Sequence, residues 1–129
     1  LELAMLFPSY LGPNSGVRSM TQTTFQRIDV ETARDLLGRD DTVVLDVRNA
    51  ADYEKAHISS AQWVSEKNLS EVISDTPKEA PLLIYCYHGN ASQSYARVFT
   101  DFGFTKVYSL DGGFERWRQA EAQAAPQRA

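Results

Sequence analysis

Two continuous apolar runs limit what this chain can fold into more than any other feature. The runs are TVVLDV at 42–47 and LLIYC at 82–86, and neither shows an alternation of polar and apolar positions. Strands with this pattern are buried on both faces, which is typical of parallel sheets covered by helices. The chain is therefore predicted to be an α/β protein.

Weaker signals between and around the two runs complete the pattern. Further short strands are predicted at 25–28, 61–64 and 106–110. Helices are predicted at 30–37, where Asp29 is placed to cap the first turn, and at 66–73, 92–102 and 114–123, and Asn49 is expected to cap a further helical turn. Strands that alternate with helices, without an internal repeat, predict one five-stranded, mainly parallel sheet wrapped by helices on both faces. In such sheets ligands bind outside the carboxyl ends of the strands.

Composition excludes several classes of function. A length of 129 residues with 43% hydrophobic content is enough for one domain with its own core. The net charge of -4 argues against a nucleic-acid partner, because no surplus of Lys and Arg is present to neutralise phosphates. No apolar segment approaches the roughly 20 residues that a membrane span requires, so no membrane partner is expected.

The cysteine and histidine counts bear on cofactors and on the cellular compartment. One cysteine cannot form an intramolecular disulfide, and one cysteine with two histidines cannot supply the four ligands of a zinc site. No metal and no other cofactor is expected. A reducing compartment fits this cysteine usage best, and the cytoplasm is the predicted location.

The two ends of the chain are expected to lie outside the folded domain. Residues 1–19 lack the basic start, the long apolar region and the cleavage site of a signal peptide, and Met20 resembles a natural start. We predict that 1–22 is a vector-derived or disordered extension, that 23–123 forms the domain, and that 124–129 is a frayed tail.

The single cysteine lies where the second apolar run ends. The polar loop that follows Cys86 consists of Tyr87, His88, Gly89, Asn90 and Ala91. A helix is predicted directly after the loop, and its unpaired N–H groups favour a negative charge, so the pKa of Cys86 is expected to be low and its thiolate nucleophilic. Gly and Asn adopt left-handed conformations readily, so the loop amides are expected to form an anion nest. A buried structural cysteine is the alternative, and the polar loop argues against it.

The spacing of the loop separates two kinds of cysteine chemistry. Cysteine-dependent phosphatases and related arsenate reductases have the pattern Cys-x5-Arg, in which the arginine clamps the oxyanion with two hydrogen bonds. This chain has Ser92 at that position, and Arg97 follows only later in the predicted helix. A loop that offers amides alone suits one large, soft sulfur atom better than a tetrahedral phosphate.

Four stretches of the sequence are characteristic when taken together: CYHGNAS at 86–92, DVR at 46–48, YEKAHI at 53–58 and YSLDGGFERW at 108–117. In these stretches the chain resembles the rhodanese, or thiosulfate sulfurtransferase, family in its small single-domain GlpE type. The resemblance covers 25–117. The resemblance implies a rhodanese-like fold and a sulfurtransferase that moves sulfane sulfur from thiosulfate, or a similar donor, to cyanide, a thiol or a dithiol protein through a Cys86 persulfide.

Three alternatives stay open beside that function. The same fold could serve as a sulfur relay or redox partner with little turnover of thiosulfate. A non-catalytic interaction module would not need the intact CYHGNAS stretch, and a phosphatase or arsenate reductase would need the loop arginine. Activity seen only with a protein dithiol as acceptor would favour the relay.

The residues around the loop are expected to support it. Asp46 and Arg48 end the first run on the active-site side, and structural hydrogen bonds and ion pairs are the main expectation for them, with Arg48 assistance to an anionic substrate as the alternative. Ser92 is placed with them as a supporting residue. Gly112 and Gly113 are expected to form a tight turn whose backbone lies beside the active loop.

The sequence departs from the pattern of the resembled family at two places. Ala56 and Ser60 stand where glycines are usual, and both are small enough for the same packing if φ is negative there. The loop carries His88 as its only possible cation, which suggests a weak grip on thiosulfate and leaves the physiological donor open. His57 resembles a structural histidine of the family.

Overall fold

A computed structural model of the chain describes residues 24–124. The expectations for 1–22 and for 125–129 lie outside the described residues, whereas Ala124, expected in the tail, is the last residue of a helix. The strands are β1 (Gln26–Ile28), β2 (Val43–Asp46), β3 (Gln62–Trp63), β4 (Leu82–Tyr85) and β5 (Val107–Leu110). The helices are α1 (Val30–Leu37), α2 (Ala50–Lys55), α3 (Leu69–Asp75), α4 (Ala91–Asp101) and α5 (Gly113–Ala124).

The strands form one sheet in the order β1-β5-β4-β2-β3, and all neighbours run parallel. The predicted five-stranded α/β fold is therefore confirmed. β4 lies in the centre of the sheet between β2 and β5, which explains why its sequence contains no solvent-facing position. Asp46 of β2 is in register with Tyr85 of β4, so these two strands end at the same level.

The central strand separates two hydrophobic cores. Leu82 and Ile84 point into the core that contains α3 and α4, while Leu83 and Tyr85 point into the core that contains α1. Because side chains alternate along a strand, a strand with a core on each face needs apolar residues at every position. The uninterrupted apolar run of β4 is therefore what its central position in the sheet requires.

Side-chain caps fix where two of the helices begin. The Asp29 carboxylate accepts a hydrogen bond from the Thr32 amide at 2.9 Å before α1, and the Asn49 side chain accepts one from the Asp52 amide at 2.8 Å before α2. Both satisfy an N–H group that has no partner within its helix. Asn49 comes directly after Arg48, so α2 begins immediately beyond the end of β2.

Ala56 and Ser60, which stand where the resembled family usually has glycine, differ in backbone conformation. Ala56 has a φ of -167°, which is extended backbone that any residue adopts. Ser60 has a φ of +75°, so the condition of a negative φ is not met at this position. A left-handed conformation places a Cβ close to the following carbonyl oxygen and is unfavourable for residues other than glycine. The serine in the turn before β3 is therefore held in a strained backbone conformation.

Candidate active site

Cys86 lies at the junction between the central strand and the helix that covers it. β4 ends at Tyr85, α4 begins at Ala91, and only 3% of the Cys86 surface is exposed. The sulfur thus lies at the carboxyl edge of a parallel sheet, where ligands of such folds bind.

Three hydrogen bonds converge on the Cys86 sulfur. The amide of Gly89 lies 3.2 Å from Sγ, the amide of Ser92 lies 3.3 Å away, and the hydroxyl oxygen of Ser92 lies 3.4 Å away. The amides can only donate, so they favour a sulfur that carries negative charge. Of the loop amides that were predicted to turn inward, that of Gly89 is bonded to the sulfur, and Ser92, the residue after the loop, adds both its amide and its hydroxyl.

The hydrogen bonds decide the acidity of the thiol. Burial alone would raise the pKa of Cys86, but the hydroxyl and amide of Ser92, followed by the amides of Gly89 and His88, outweigh burial and lower that pKa below its usual value. A lowered pKa increases the thiolate fraction, and the thiolate is the nucleophilic form of cysteine. Because the donors are neutral, they stabilise the charge without neutralising it.

The loop residues differ in how they face the surroundings. Gly89 is buried with a φ of +100°, whereas Tyr87, His88, Asn90 and Ala91 are exposed. The Gln93 side chain donates to the Gly89 carbonyl at 2.8 Å and so holds the loop to the first turn of α4. The left-handed Gly89 turns its amide inward, which is the conformation that glycine tolerates best.

The Gly112–Gly113 turn holds the loop from the opposite side. The amide of Phe114 donates to the Cys86 carbonyl at 2.8 Å, and the amide of Glu115 donates to the Tyr87 carbonyl at 3.2 Å. A Cβ at Gly113, where φ is +60°, would lie 2.4 Å from the carbonyl carbon and oxygen of Tyr87. The predicted backbone approach of this turn to the active loop is confirmed.

Asp46 and Arg48 form a buried ion pair beside the loop. The Arg48 guanidinium donates to both carboxylate oxygens of Asp46, at 2.8 Å in its shortest bond, and to the Ala56 carbonyl at 2.6 Å. Burial would lower the pKa of Arg48, but the bonds to Asp46 outweigh it and raise that pKa. Both side chains are nearly inaccessible, which favours the structural interpretation over contact with a substrate.

Aromatic rings surround the Arg48 guanidinium on its remaining sides. Its central carbon lies 4.1 Å from the ring centroid of Phe114, 5.6 Å from that of Tyr85 and 5.8 Å from that of Tyr87. Tyr87 is 37% exposed, and its hydroxyl donates to the Asp52 carboxylate on α2. This hydrogen bond raises the pKa of Tyr87 and ties the residue next to the nucleophile to the neighbouring helix.

Two further side chains clarify the sequence predictions. His57 is exposed, stacks on the Tyr53 ring at 3.9 Å and contacts the Tyr53 carbonyl through Nδ1, as expected for a structural histidine. Ser109 on β5, which the sequence did not single out, lies fully buried with its hydroxyl 2.8 Å from that of Ser92. A hydroxyl within an otherwise apolar strand is the only signal that could have pointed to it.

The described residues also form a surface cleft of about 310 Å³ that includes none of the loop residues. Its lining comes from α3 and the chain around it, including Asn68, Glu71 and Asp75. We assign the chemistry to the Cys86 loop because the cleft contains no cysteine. Among residues 24–124, no helix combines the length and the apolar character that crossing a membrane requires.

The fold and the cysteine loop define the class of this protein. The rhodanese-like domain family matches the chain over residues 29–120, and the chain belongs to this family.

Proteins that are similar to this chain within the family include bacterial thiosulfate sulfurtransferases. The chain is 45% identical over 95 residues to thiosulfate sulfurtransferase GlpE of Pseudomonas paraeruginosa, which covers 74% of this chain and 86% of that protein. It is 39% identical over 94 residues to the GlpE of Tolumonas auensis, covering 73% of this chain and 89% of that one. A crystal structure of a thiosulfate sulfurtransferase from Pseudomonas aeruginosa superimposes with a TM-score of 0.68 at 29% identity, over 78% of this chain and 19% of that one.

Proposed function

We propose that this protein is a thiosulfate sulfurtransferase that carries sulfane sulfur as a persulfide on Cys86. The observation that carries the proposal is the donor set around Sγ: the amides of Gly89 and Ser92 and the Ser92 hydroxyl. Uncharged donors stabilise a thiolate while leaving it able to attack. The name of the GlpE relatives supplies the substrate class.

The first half of the reaction loads the enzyme. The Cys86 thiolate attacks the outer sulfur of thiosulfate, so that a bond forms between Sγ and that sulfur. The sulfur–sulfur bond within thiosulfate breaks, and sulfite leaves with the electron pair. The negative charge of the thiolate passes to the terminal sulfur of the persulfide, where the inward-facing amides of the loop can stabilise it.

The second half returns the enzyme to its starting state. A nucleophilic acceptor, either cyanide or a thiol or dithiol, attacks the terminal sulfur and forms a bond to it. The persulfide bond breaks, and its electron pair remains on Sγ as the thiolate. Since the two substrates react in turn with one group, ping-pong kinetics are expected. A thiolate that must remain free also suits a reducing compartment, and we propose the cytoplasm.

Phosphatase chemistry receives no support from the site. Ser92 occupies the position of the oxyanion-clamping arginine and is bonded to Sγ and to Ser109. Arg97 lies further along α4, with its guanidinium 5.8 Å from the ring centroid of Phe25. The site therefore lacks the bidentate contact on which phosphate transfer by such a loop depends.

One observation favours the second candidate, a sulfur relay to a protein dithiol with little turnover of thiosulfate. Arg48 is held by Asp46 and the Ala56 carbonyl, so His88 is the only residue of the loop 87–91 whose side chain can carry a positive charge. A dianion such as thiosulfate gains little from so small a positive charge. A relay would accept its sulfur from another persulfide, which carries less charge.

The test combines mass spectrometry with a cyanide assay on wild type and Cys86→Ser. After treatment with thiosulfate, wild type should gain the mass of one sulfur atom and lose it again on addition of cyanide. Cys86→Ser should show neither change and should lose at least about a thousandfold in activity, because the attacking group is gone. Absence of the adduct from wild type, or activity retained by Cys86→Ser, would contradict the proposal. Turnover with a dithiol alone would favour the relay.

A further inference from the structure

A buried hydroxyl lies behind the nucleophile on the neighbouring strand. Ser109 is in β5, in register with Ile84 of β4, and none of its surface is exposed. Val107, on the same face of β5, belongs to the core that α4 covers. A hydroxyl in such a place is unfavourable unless it is hydrogen-bonded.

The partner of Ser109 is the residue that touches the reactive sulfur. The two hydroxyl oxygens of Ser109 and Ser92 lie 2.8 Å apart, and the Ser92 oxygen lies 3.4 Å from Cys86 Sγ. The three side chains thus form a continuous row from the core to the nucleophile. Either hydroxyl can be the donor in the bond between the serines.

We propose that Ser109 is a positioning residue of the active site, which holds the Ser92 hydroxyl against the Cys86 sulfur. When Cys86 ionises, Ser109 allows the hydrogen bond between Ser92 and the sulfur to reverse its direction. The inference rests on the proposed function only in that Cys86 is the reacting group. Ser109 itself touches neither the sulfur nor a substrate.

The direction of the bonds follows from where the protons are. In the thiol state the Cys86 proton points to the Ser92 oxygen, and the Ser92 proton points to Ser109. When the thiol proton has left for solvent, the Ser92 proton turns to the sulfur, and the Ser109 proton turns to the Ser92 oxygen. The thiolate then has three donors, while the Ser92 oxygen keeps an acceptor role that polarises its own O–H.

The acidity of the thiol agrees with this arrangement. The Ser92 side chain is the largest of the contributions that lower the pKa of Cys86 against the opposing effect of burial. Without Ser109 the Ser92 hydroxyl would lose the donor behind it, and it would be free to rotate away from the sulfur. Ser109 should therefore affect reactivity only through Ser92.

The test measures the alkylation rate of Cys86 by iodoacetamide as a function of pH, which needs no sulfur transfer. Cys86 is the only cysteine of the chain, so the reagent reports on one group. The variants are Ser109→Ala, Ser92→Ala and the double variant. Thr100→Val is the matched control. Thr100 is a buried residue of α4, the helix that also carries Ser92, and its hydroxyl donates to the Arg97 carbonyl and not to the active site.

We expect Ser109→Ala to raise the pKa of Cys86 and to slow alkylation near pH 7 about threefold, with a larger effect from Ser92→Ala. Ser109→Ala should change nothing further when Ser92 is already Ala, since its route to the sulfur is then missing. A Ser109→Thr variant, which keeps the hydroxyl, should restore the wild-type profile.

Two results would overturn the inference: a pH profile of Ser109→Ala that matches Thr100→Val, or independent, additive effects of the two serine substitutions. If Ser109→Ala lowers the melting temperature, the profile is measured below its unfolding transition and decides in the same way. A wild type that forms no persulfide would contradict the proposed function, while the alkylation profiles would still decide the role of Ser109.

Discussion

At two neighbouring strand ends of the sheet, a negatively charged side chain is stabilised by different kinds of partner. At the end of β2, the Asp46 carboxylate is paired with the Arg48 guanidinium, and both are buried. At the end of β4, the Cys86 sulfur accepts hydrogen bonds from two amides and is hydrogen-bonded to the Ser92 hydroxyl, and none of these three partners carries a charge. The first charge is neutralised and becomes part of the framework, whereas the second is stabilised and remains available.

The difference shows how one edge of a sheet can be rigid and reactive at once. A full ion pair between Cys86 and a cation would stabilise the thiolate, but it would also reduce its tendency to attack. Neutral donors lower the pKa without placing a charged side chain against the sulfur. The ion pair is used where rigidity is needed, and its arginine packs on the rings of Tyr87 and Phe114, which flank the nucleophile.

The largest change in stability should come from breaking the ion pair. Arg48→Met would leave the Asp46 carboxylate buried without its partner, which is expected to cost about 3–5 kcal/mol in the free energy of unfolding. The matched control is Arg39→Met, which removes an exposed ion pair with Asp41 and should cost less than about 1 kcal/mol. Urea titrations of both variants compare the two. Equal losses would contradict the framework role of the buried pair.

A second variant attacks the backbone support of the loop. Gly113→Ala would place a Cβ at 2.4 Å from the Tyr87 carbonyl group in a left-handed conformation, so the loop must shift. We expect a loss of about 2–4 kcal/mol in stability and a larger proportional loss of sulfur transfer, since the donors to Sγ move with the loop.

Gly38→Ala serves as the control for that substitution. Gly38 has a φ of -74°, and the nearest atom to an added Cβ is the Asp35 carbonyl oxygen at an ordinary 3.4 Å. Its stability should stay within about 0.5 kcal/mol of wild type. A Gly113→Ala protein with wild-type kinetics would show that the turn does not determine the position of the loop.

The pH dependence of stability gives a smaller effect with a definite sign. The pKa of Cys86 is lowered in the folded protein, while an unfolded thiol titrates near about 8.5. Between these values the unfolded state binds more protons, so Cys86 adds stability that is fully present above the unfolded pKa and is lost as pH falls through the folded pKa. The difference in unfolding free energy between wild type and Cys86→Ser should therefore grow with rising pH. A difference that shrinks would contradict a lowered pKa.

The smallest effect concerns the strained turn before β3. Ser60→Gly should raise the free energy of unfolding by about 0.5 kcal/mol, because relief of the left-handed strain exceeds the added freedom of the unfolded chain. Ser59→Gly, next to it and equally exposed, has no such strain to relieve and should lower stability slightly. Thermal melts of the two variants should thus shift in opposite directions.

The sequence was sufficient for the fold because its signals are local. The continuous run of β4 predicts burial on both faces, and Asp29 and Asn49 predict caps that the structure confirms. The position of Cys86 between a strand and a helix also predicts its hydrogen-bond donors. Each of these inferences depends only on residues close together in the chain.

What could not be predicted depends on neighbours that are distant in sequence. Ser109 in the strand KVYSL resembles a solvent-facing residue until α4 is known to cover that face of the sheet. The hydrogen bond from Tyr87 to Asp52 joins two segments that lie side by side because β2 and β4 are paired in the sheet. The positive φ of Ser60 has no signal in the residue itself, because serine rarely adopts it.

The first amides of α5 bond to the carbonyls of Cys86 and Tyr87, and this has a consequence for how the protein is made. A nascent chain that has been synthesised only through β5 already contains the cysteine, its loop and both serines. It still lacks the two bonds that hold the loop from the α5 side. The fully supported thiol is thus assembled only after the first turn of α5 has left the ribosome and docked, so the cysteine is synthesised before its support is complete.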